Sequence, residues 1–258
     1  MKKHYLFVGS SLMGVVIVWQ VVISALGPMK TAKIVSQYAV RDSLFMMRYD
    51  SSLDVEQWRP LYRKSLAQDA LLKMADQKVI GLVVNIADST TGLMINGVNI
   101  HQVKAADIIV DDFILKSNNL IFGRMFADPV LIDSFHTTIV KEPIVERQAP
   151  KTPEEALKNL YEPDTLIQNP AFIRFDLGYG AVLELVQTPI ITPQEKAEAD
   201  NFYREYASVI RKQKLDSLKK FSIPYYRPKI RMAMSNTDIR AIYRALPSDK
   251  MLVAIIQN

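Results

Sequence analysis

One short segment carries a carboxylate, a hydroxyl and an imidazole close together. Asp133, Ser134 and His136 stand in LIDSFHTT, and these are the side-chain types of a hydrolase triad. Nucleophilic catalysis requires the three groups to converge in space beside a site that stabilises an oxyanion, and closeness along a strand does not provide this. The segment therefore predicts a strand, with a catalytic site at these residues as the alternative.

Several other kinds of chemistry are excluded by composition. The 258 residues include no cysteine, which removes disulfides, thiolate catalysis and cysteine zinc sites. The three histidines, His4, His101 and His136, have no metal-ligand spacing, and no glycine-rich loop has the spacing of a nucleotide-binding motif. The net charge of +5 is scattered without a basic stripe. We therefore expect no metal, no cofactor and no nucleic-acid partner.

The N-terminus carries the strongest local signal. After Lys2 and Lys3, residues 5–26 read YLFVGSSLMGVVIVWQVVISAL without a formal charge, and a helix of about 20 such residues spans a bilayer. This predicts a transmembrane anchor over residues 1–28 that contacts the lipid bilayer through 5–26. A cleaved signal peptide is the alternative, because ISA precedes Leu26. With most of the chain after a single span, the main domain is predicted to lie in the periplasm, tethered to the bacterial inner membrane.

Two further regions are predicted after the anchor. Residues 29–77 carry apolar positions at helical spacing and predict a helical connector that packs on the next domain, because heptads do not persist as a coiled coil requires. From residue 78 the pattern becomes β-rich, and Asn96-Gly97 marks a hairpin turn. Residues 78–258 therefore predict one mixed, mostly β domain with two or three helices, and the fold class is α+β.

Two helices of this domain are predicted to begin in the same way. Each start combines a capping threonine, a proline at the first helical position and a glutamate that closes a capping box. The residues are Thr152, Pro153 and Glu155, and then Thr192, Pro193 and Glu195. The second start opens the longest helix predicted outside the N-terminal segment.

The C-terminal tail, residues 226–256, reads YRPKIRMAMSNTDIRAIYRALPSDKMLVAII. Its Ile-Arg-Met, followed by an Asn/Asp-led helix, a proline turn and a strand, resembles the end of the L,D-transpeptidase catalytic domain. Members of that family cross-link peptidoglycan stem peptides with a cysteine inside S-x-G-C-[IV]-R-[ML]. The segment GLVVNIADSTTGLMINGVNIHQV, residues 81–103, is similar to the family's opening strand and hairpin. The resemblance covers the two ends of the domain and implies the fold of that family.

The residues that would carry the family's reaction are replaced. By the resemblance, Lys229 stands at the position of the cysteine, Pro228 at the preceding glycine and Tyr226 at the serine, whereas Arg231 matches the arginine. No His-Gly pair supplies the activating base. A thiolate forms with the help of such a base, but a lysine stays protonated unless it is strongly desolvated. The resemblance therefore implies a degenerate domain with no catalytic residue for transpeptidation.

Two classes of function follow from these observations. The first is a membrane-anchored, non-catalytic cell-envelope protein that acts as a scaffold, a cell-wall contact or a subunit of an envelope assembly, with peptidoglycan and other envelope proteins as partners. The second is a periplasmic hydrolase or transferase with an unrecognised active site, built around His136 or Lys229. A third hypothesis, an assembly subunit of unrelated fold, predicts that the tail does not pack beside the hairpin at residues 79–103.

Overall fold

The computed structural model describes residues 2–141, 169–220 and 222–257. This part of the chain forms nine β-strands and seven α-helices, so the predicted α+β class is confirmed. The helices are α1 (Lys2–Arg41), α2 (Ser43–Arg48), α3 (Arg59–Asp76), α4 (Asp112–Lys116), α5 (Asn119–Phe126), α6 (Pro193–Lys219) and α7 (Asn236–Ala245). The strands are β1 (Gly81–Asn85), β2 (Thr90–Ile95), β3 (Val98–Lys104), β4 (Asp107–Val110), β5 (Val130–Thr137), β6 (Phe172–Leu177), β7 (Val182–Gln187), β8 (Lys229–Met234) and β9 (Leu252–Ile256).

The strands make one mixed sheet in the order β3-β2-β1-β9-β5-β6-β7-β8-β4. The last strand, β9, runs parallel to β1 and antiparallel to β5, so it joins the N-terminal hairpins to the rest of the sheet. Leu82 pairs with Val253, and the pairing continues to Asn85 with Ile256. The C-terminal tail therefore packs directly beside the early hairpin, and the third hypothesis, which placed them apart, is wrong on this point.

The helical connector packs on the sheet, as its apolar spacing predicts. Helix α3 lies against β9 and α5. Tyr62 and Leu66 of α3 join the main core, and the Arg63 guanidinium donates hydrogen bonds to the carbonyls of Leu115 (3.2 Å) and Ser117 (2.7 Å). Burial lowers the pKa of Arg63 to about 10. The region is thus part of the folded domain and does not form a separate stalk.

The predicted membrane anchor is wrong. Within residues 2–141, 169–220 and 222–257, no helix combines the length and the apolar character that a membrane crossing needs. This overturns the anchor over 1–28 and its bilayer contact through 5–26. The inner-membrane and periplasmic localisation that depended on the anchor is wrong for the same reason. The apolar run instead belongs to a longer helix, α1, which continues to Arg41. The second half of α1 packs on the domain, since Val35 and Ala39 are buried in the main core.

The predicted number of helices in the domain is also wrong. The described part of 78–258 contains four, α4 to α7, in place of two or three. The β-rich segment IIVDDFIL, residues 108–115, contains the end of β4 and the whole start of α4. Asp111 follows β4 and caps α4 by accepting a hydrogen bond from the Phe113 N–H (2.8 Å). Because Asp111 caps the backbone at this point, the residues after it form a helix although their types favour a strand. The helix predicted to begin at Thr152 lies outside the described residues.

Two local predictions are confirmed. The β2–β3 turn places Asn96 and Gly97 at φ 49° and 80°, the left-handed region that this pair tolerates. At the start of α6, the Thr192 hydroxyl accepts the Glu195 N–H (3.1 Å), and the Glu195 carboxylate accepts the Thr192 N–H (2.7 Å). This reciprocal capping box positions the 27-residue α6 over the sheet.

Candidate functional site

Three neighbouring strands bring charged side chains onto one face of the sheet. Arg174 on β6, Glu184 on β7 and Arg231 on β8 are direct register partners. Lys229 lies two residues before Arg231 and faces the same side, because side chains alternate along a strand. The position that the resemblance assigns to a nucleophile therefore adjoins a carboxylate on the next strand. We call Arg174, Glu184, Lys229 and Arg231 the Glu184 cluster.

Glu184 is fully buried and is bound by all three cations of the cluster. Its Oε1 lies 2.9 Å from Arg174 Nε and 3.3 Å from Lys229 Nζ, and its Oε2 lies 3.0 Å from Arg231 Nε. The Glu184 side chain is 0% exposed, whereas those of Lys229 and Arg231 are 30% and 31% exposed. Three positive groups surround one negative group, so the cluster has a positive excess on the side that faces solvent.

The environment keeps Glu184 ionised. Burial by itself raises the pKa of Glu184, but Lys229 and the guanidinium groups of Arg174 and Arg231 outweigh burial and hold that pKa below its ordinary value of 4.5. Burial lowers the pKa of Lys229 from its ordinary 10.5, although Glu184 opposes the change. The pair therefore joins a carboxylate to an ammonium that loses its proton more readily than an exposed lysine does.

Helix α6 covers the Glu184 cluster with aromatic rings. The Tyr206 ring centre lies 3.9 Å from the guanidinium carbon of Arg174 and 5.0 Å from Lys229 Nζ. The Tyr203 ring centre lies 4.8 Å from the guanidinium carbon of Arg231. These distances are within the range of cation–π interactions, which are stronger at desolvated sites. The chain's own helix thus lies over the face that carries Lys229.

Tyr226 and Pro228, the other two replaced positions, have structural partners. The Tyr226 hydroxyl donates a hydrogen bond to Asp111. Burial and this bond raise the pKa of Tyr226. The Tyr226 backbone also exchanges two hydrogen bonds with the Thr31 hydroxyl, which ties the segment to α1. Pro228 is buried, and its carbonyl accepts the Val182 N–H (2.9 Å). Both residues serve to attach the start of β8 to its neighbours.

Ser134 and His136 are held by different groups, and Asp133 is exposed. The Ser134 hydroxyl donates to Asp176 (2.8 Å), whereas His136 Nε2 lies 3.0 Å from Glu205 of α6. The His136 ring also stacks on Phe202, with ring centres 5.4 Å apart. The hydroxyl and the imidazole thus each bond a separate carboxylate, and the contacts do not assemble the arrangement of a triad. Within the described ranges, no three His, Asp or Glu side chains meet in a way that would hold a metal ion.

A cavity of about 250 Å³ opens beside Lys229, between α6, the segment that precedes β8, and Gly27 of α1. We call it the basic cavity. Its side chains include three cations and three phenols, namely Lys214, Arg227, Lys229, Tyr206, Tyr225 and Tyr226.

Two members of the site, Arg174 and Glu184, were missed from the sequence. Glu184 is the lone charge in the apolar segment AVLELVQ, and Arg174 lies between two apolar residues in AFIRFD. Burial of an unpaired charge is costly, so opposite charges at the centres of two consecutive apolar strands indicate a buried pair. This pattern of opposite charges can be read directly from the sequence.

No protein-family model, no curated protein and no solved structure matches the chain. The resemblance of residues 226–256 to the L,D-transpeptidase domain therefore stays a prediction. The described residues define an α+β domain with a mixed sheet, a buried ion cluster on one face and a helix across that face.

Acid should weaken the fold through Glu184. Because the folded state lowers its pKa below 4.5, the ionised carboxylate contributes stability that is complete above pH 4.5 and is lost as the pH falls through the folded value. We expect the unfolding free energy of Glu184→Gln, measured by urea titration between pH 7 and pH 3, to fall less steeply below pH 4.5 than that of the parent. Asp200→Asn, at an exposed site on α6, should keep the parental slope. An unchanged slope in Glu184→Gln would contradict the assignment.

Proposed function

We propose that this chain is a non-catalytic scaffold or binding protein, built on a transpeptidase-like domain in which an ion pair stands where the reaction would occur. One observation carries the proposal. Lys229, at the position that the resemblance gives to the nucleophile, lies 3.3 Å from the fully buried carboxylate of Glu184. Peptidoglycan, or a protein that contacts it, is the partner that the resemblance implies.

Neither member of this pair is suited to catalysis at neutral pH. A general base works best with a pKa near the operating pH, whereas the pKa of Glu184 is held below 4.5. Both Glu184 oxygens already accept bonds from cations. A lysine nucleophile must be deprotonated, and the adjacent carboxylate favours the ammonium form. Helix α6 further restricts the approach of a substrate to this face.

The test is turnover of peptidoglycan fragments. We expect the full chain, incubated with disaccharide-tetrapeptide, to form no cross-linked dimer and no hydrolysis product by mass spectrometry. Lys229→Cys should also be inactive, because the sequence has no His-Gly pair to supply the base that activates a thiol. Product formed by the parent chain and lost in Lys229→Met would overturn the proposal.

A second candidate, an enzyme that uses Lys229, has one observation in its favour. Lys229 and Tyr206 line the basic cavity, the Lys229 amine contacts both the Tyr206 ring and the Glu184 carboxylate, and burial lowers the pKa of that amine. Such a lysine condenses with a carbonyl compound, with loss of water, to form an imine that borohydride reduces to a stable secondary amine.

Reductive trapping separates the two candidates. With benzaldehyde and borohydride, the scaffold proposal predicts that Lys229 is modified no faster than exposed lysines such as Lys212, as measured by peptide mass spectrometry. Preferential modification of Lys229 would favour the enzyme.

A further inference from the structure

We propose that the basic cavity binds a small organic anion with an aromatic or apolar body. This rests on the proposed function, because it names the ligand class of a protein that binds without reacting. The charges, the walls and the neighbouring cavity each support this class of ligand.

The charged side chains that line the basic cavity are all positive. Lys214, Arg227 and Lys229 line the cavity, and no acidic side chain does. Asp176 lies 2.5 Å from Arg227, and Glu184 pairs with Lys229, but neither carboxylate lines the cavity. Within the described part of the chain, no carboxylate lies within ion-pair distance of the half-buried Lys214. The positive excess of the Glu184 cluster adds to this field, so an anion is favoured.

The aromatic and apolar walls of the basic cavity fit a ligand with a flat or apolar body. Tyr206, Tyr225 and Tyr226 present rings, with Ile210 and Pro224 between them. Two of the three phenols are tied down, since Tyr225 donates to the Tyr179 carbonyl (2.7 Å) and Tyr226 donates to Asp111. Rings fixed in this way form a preformed slot, which reduces the entropy lost on binding.

The neighbouring cavity has the opposite character. A second cavity of about 570 Å³ shares Gln213, Pro224, Tyr225 and Arg227 with the basic cavity, but its lining includes Asp133, Asp176 and Asp216. The aspartates of the second cavity therefore repel an anion, whereas Lys214 and Lys229 of the basic cavity attract it. A cationic probe of the same shape is expected to avoid the basic cavity.

The experiment compares probes of one shape and different charge. Benzoate and phenyl phosphate are titrated against the full chain by ligand-observed NMR at low salt, with benzamide and benzylamine as neutral and cationic controls. We expect both anions to bind more tightly than either control. Tighter binding of phenyl phosphate assigns the site to phosphates, and equal or tighter binding of benzoate assigns it to carboxylates.

Two lysine variants test whether the anions bind in the basic cavity. Lys214→Gln should raise the Kd of the anions about tenfold, because a hydrogen bond to a charged group is lost. Lys212→Gln, an exposed neighbour on the same helix that does not line the cavity, should leave the Kd unchanged. A thermal melt confirms that both variants are folded.

Three results would overturn the inference: equal binding of benzamide and benzoate, no binding of either anion, or a Kd that Lys214→Gln leaves unchanged. None of them bears on the turnover test, which measures product, so a failure here is distinguishable from a failure of the non-catalytic proposal.

Discussion

Replacement of Glu184 by glutamine is expected to lower the free energy of unfolding by about 3–5 kcal/mol, the cost of removing one partner from a buried ion pair. Glutamine keeps the shape of the side chain but leaves Arg174, Lys229 and Arg231 without a counter-charge. Arg174 is affected most, because its side chain is only 6% exposed and its Nη2 already has no partner within the described part of the chain. Urea unfolding at pH 7 measures the change.

A matched control and a second variant make this result specific. Glu205→Gln removes an exposed glutamate from α6 and should change stability by less than about 0.5 kcal/mol. Glu184→Gln combined with Arg174→Met should recover part of the loss, since the most buried cation is removed together with its anion. A single Glu184→Gln variant as stable as the parent would show that the buried carboxylate is not the anchor of the cluster.

Phe202→Ala is expected to release helix α6 from the sheet. Phe202 is one of two α6 residues that are fully buried, and it packs on Phe172 and His136 with ring centres 5.5 Å and 5.4 Å away. Loss of a buried phenylalanine costs about 3–5 kcal/mol. Because α6 has few other buried contacts, the loss should appear as local opening of residues 193–219.

Hydrogen exchange measures this opening. Amides of α6 should exchange much faster in Phe202→Ala, while amides of β6, β7 and β8 keep most of their protection. Val209→Ala, at a site 48% exposed on the same helix, should match the parent. Equal acceleration in the strands would mean that α6 and the sheet unfold as one unit, against the view of α6 as a separable cover.

These two experiments bear on how the domain is used. The Glu184 cluster holds the sheet face together beneath α6, and α6 in turn forms one wall of the basic cavity. A change that detaches α6 should therefore remove the cavity without altering the strands. Lys229 belongs both to the Glu184 cluster and to the lining of the basic cavity, so the two features are joined on one face of the sheet.

Much of the local structure could be predicted from the sequence. The Asn96-Gly97 turn and the Thr192–Glu195 capping box depend on backbone preferences and hydrogen bonds within a few residues, so the residues themselves specify them. The α+β class follows from the same kind of local periodicity. The predicted anchor over residues 1–28 is wrong, because no helix in the described part of the chain is both long and apolar enough to cross a membrane. The apolar run is part of α1, whose second half packs in the core against residues far along the chain.

The candidate site was decided by tertiary structure. Lys229 could be singled out from the tail, but its partner Glu184 lies on another strand and meets it only through the β7–β8 register. Ser134 and His136, close together in sequence, bond different carboxylates for the same reason. By itself the sequence determined turns, caps and the apolar strands, which are short-range features. Only the folded sheet decided which charges meet, because strand pairing joins residues that the chain keeps far apart.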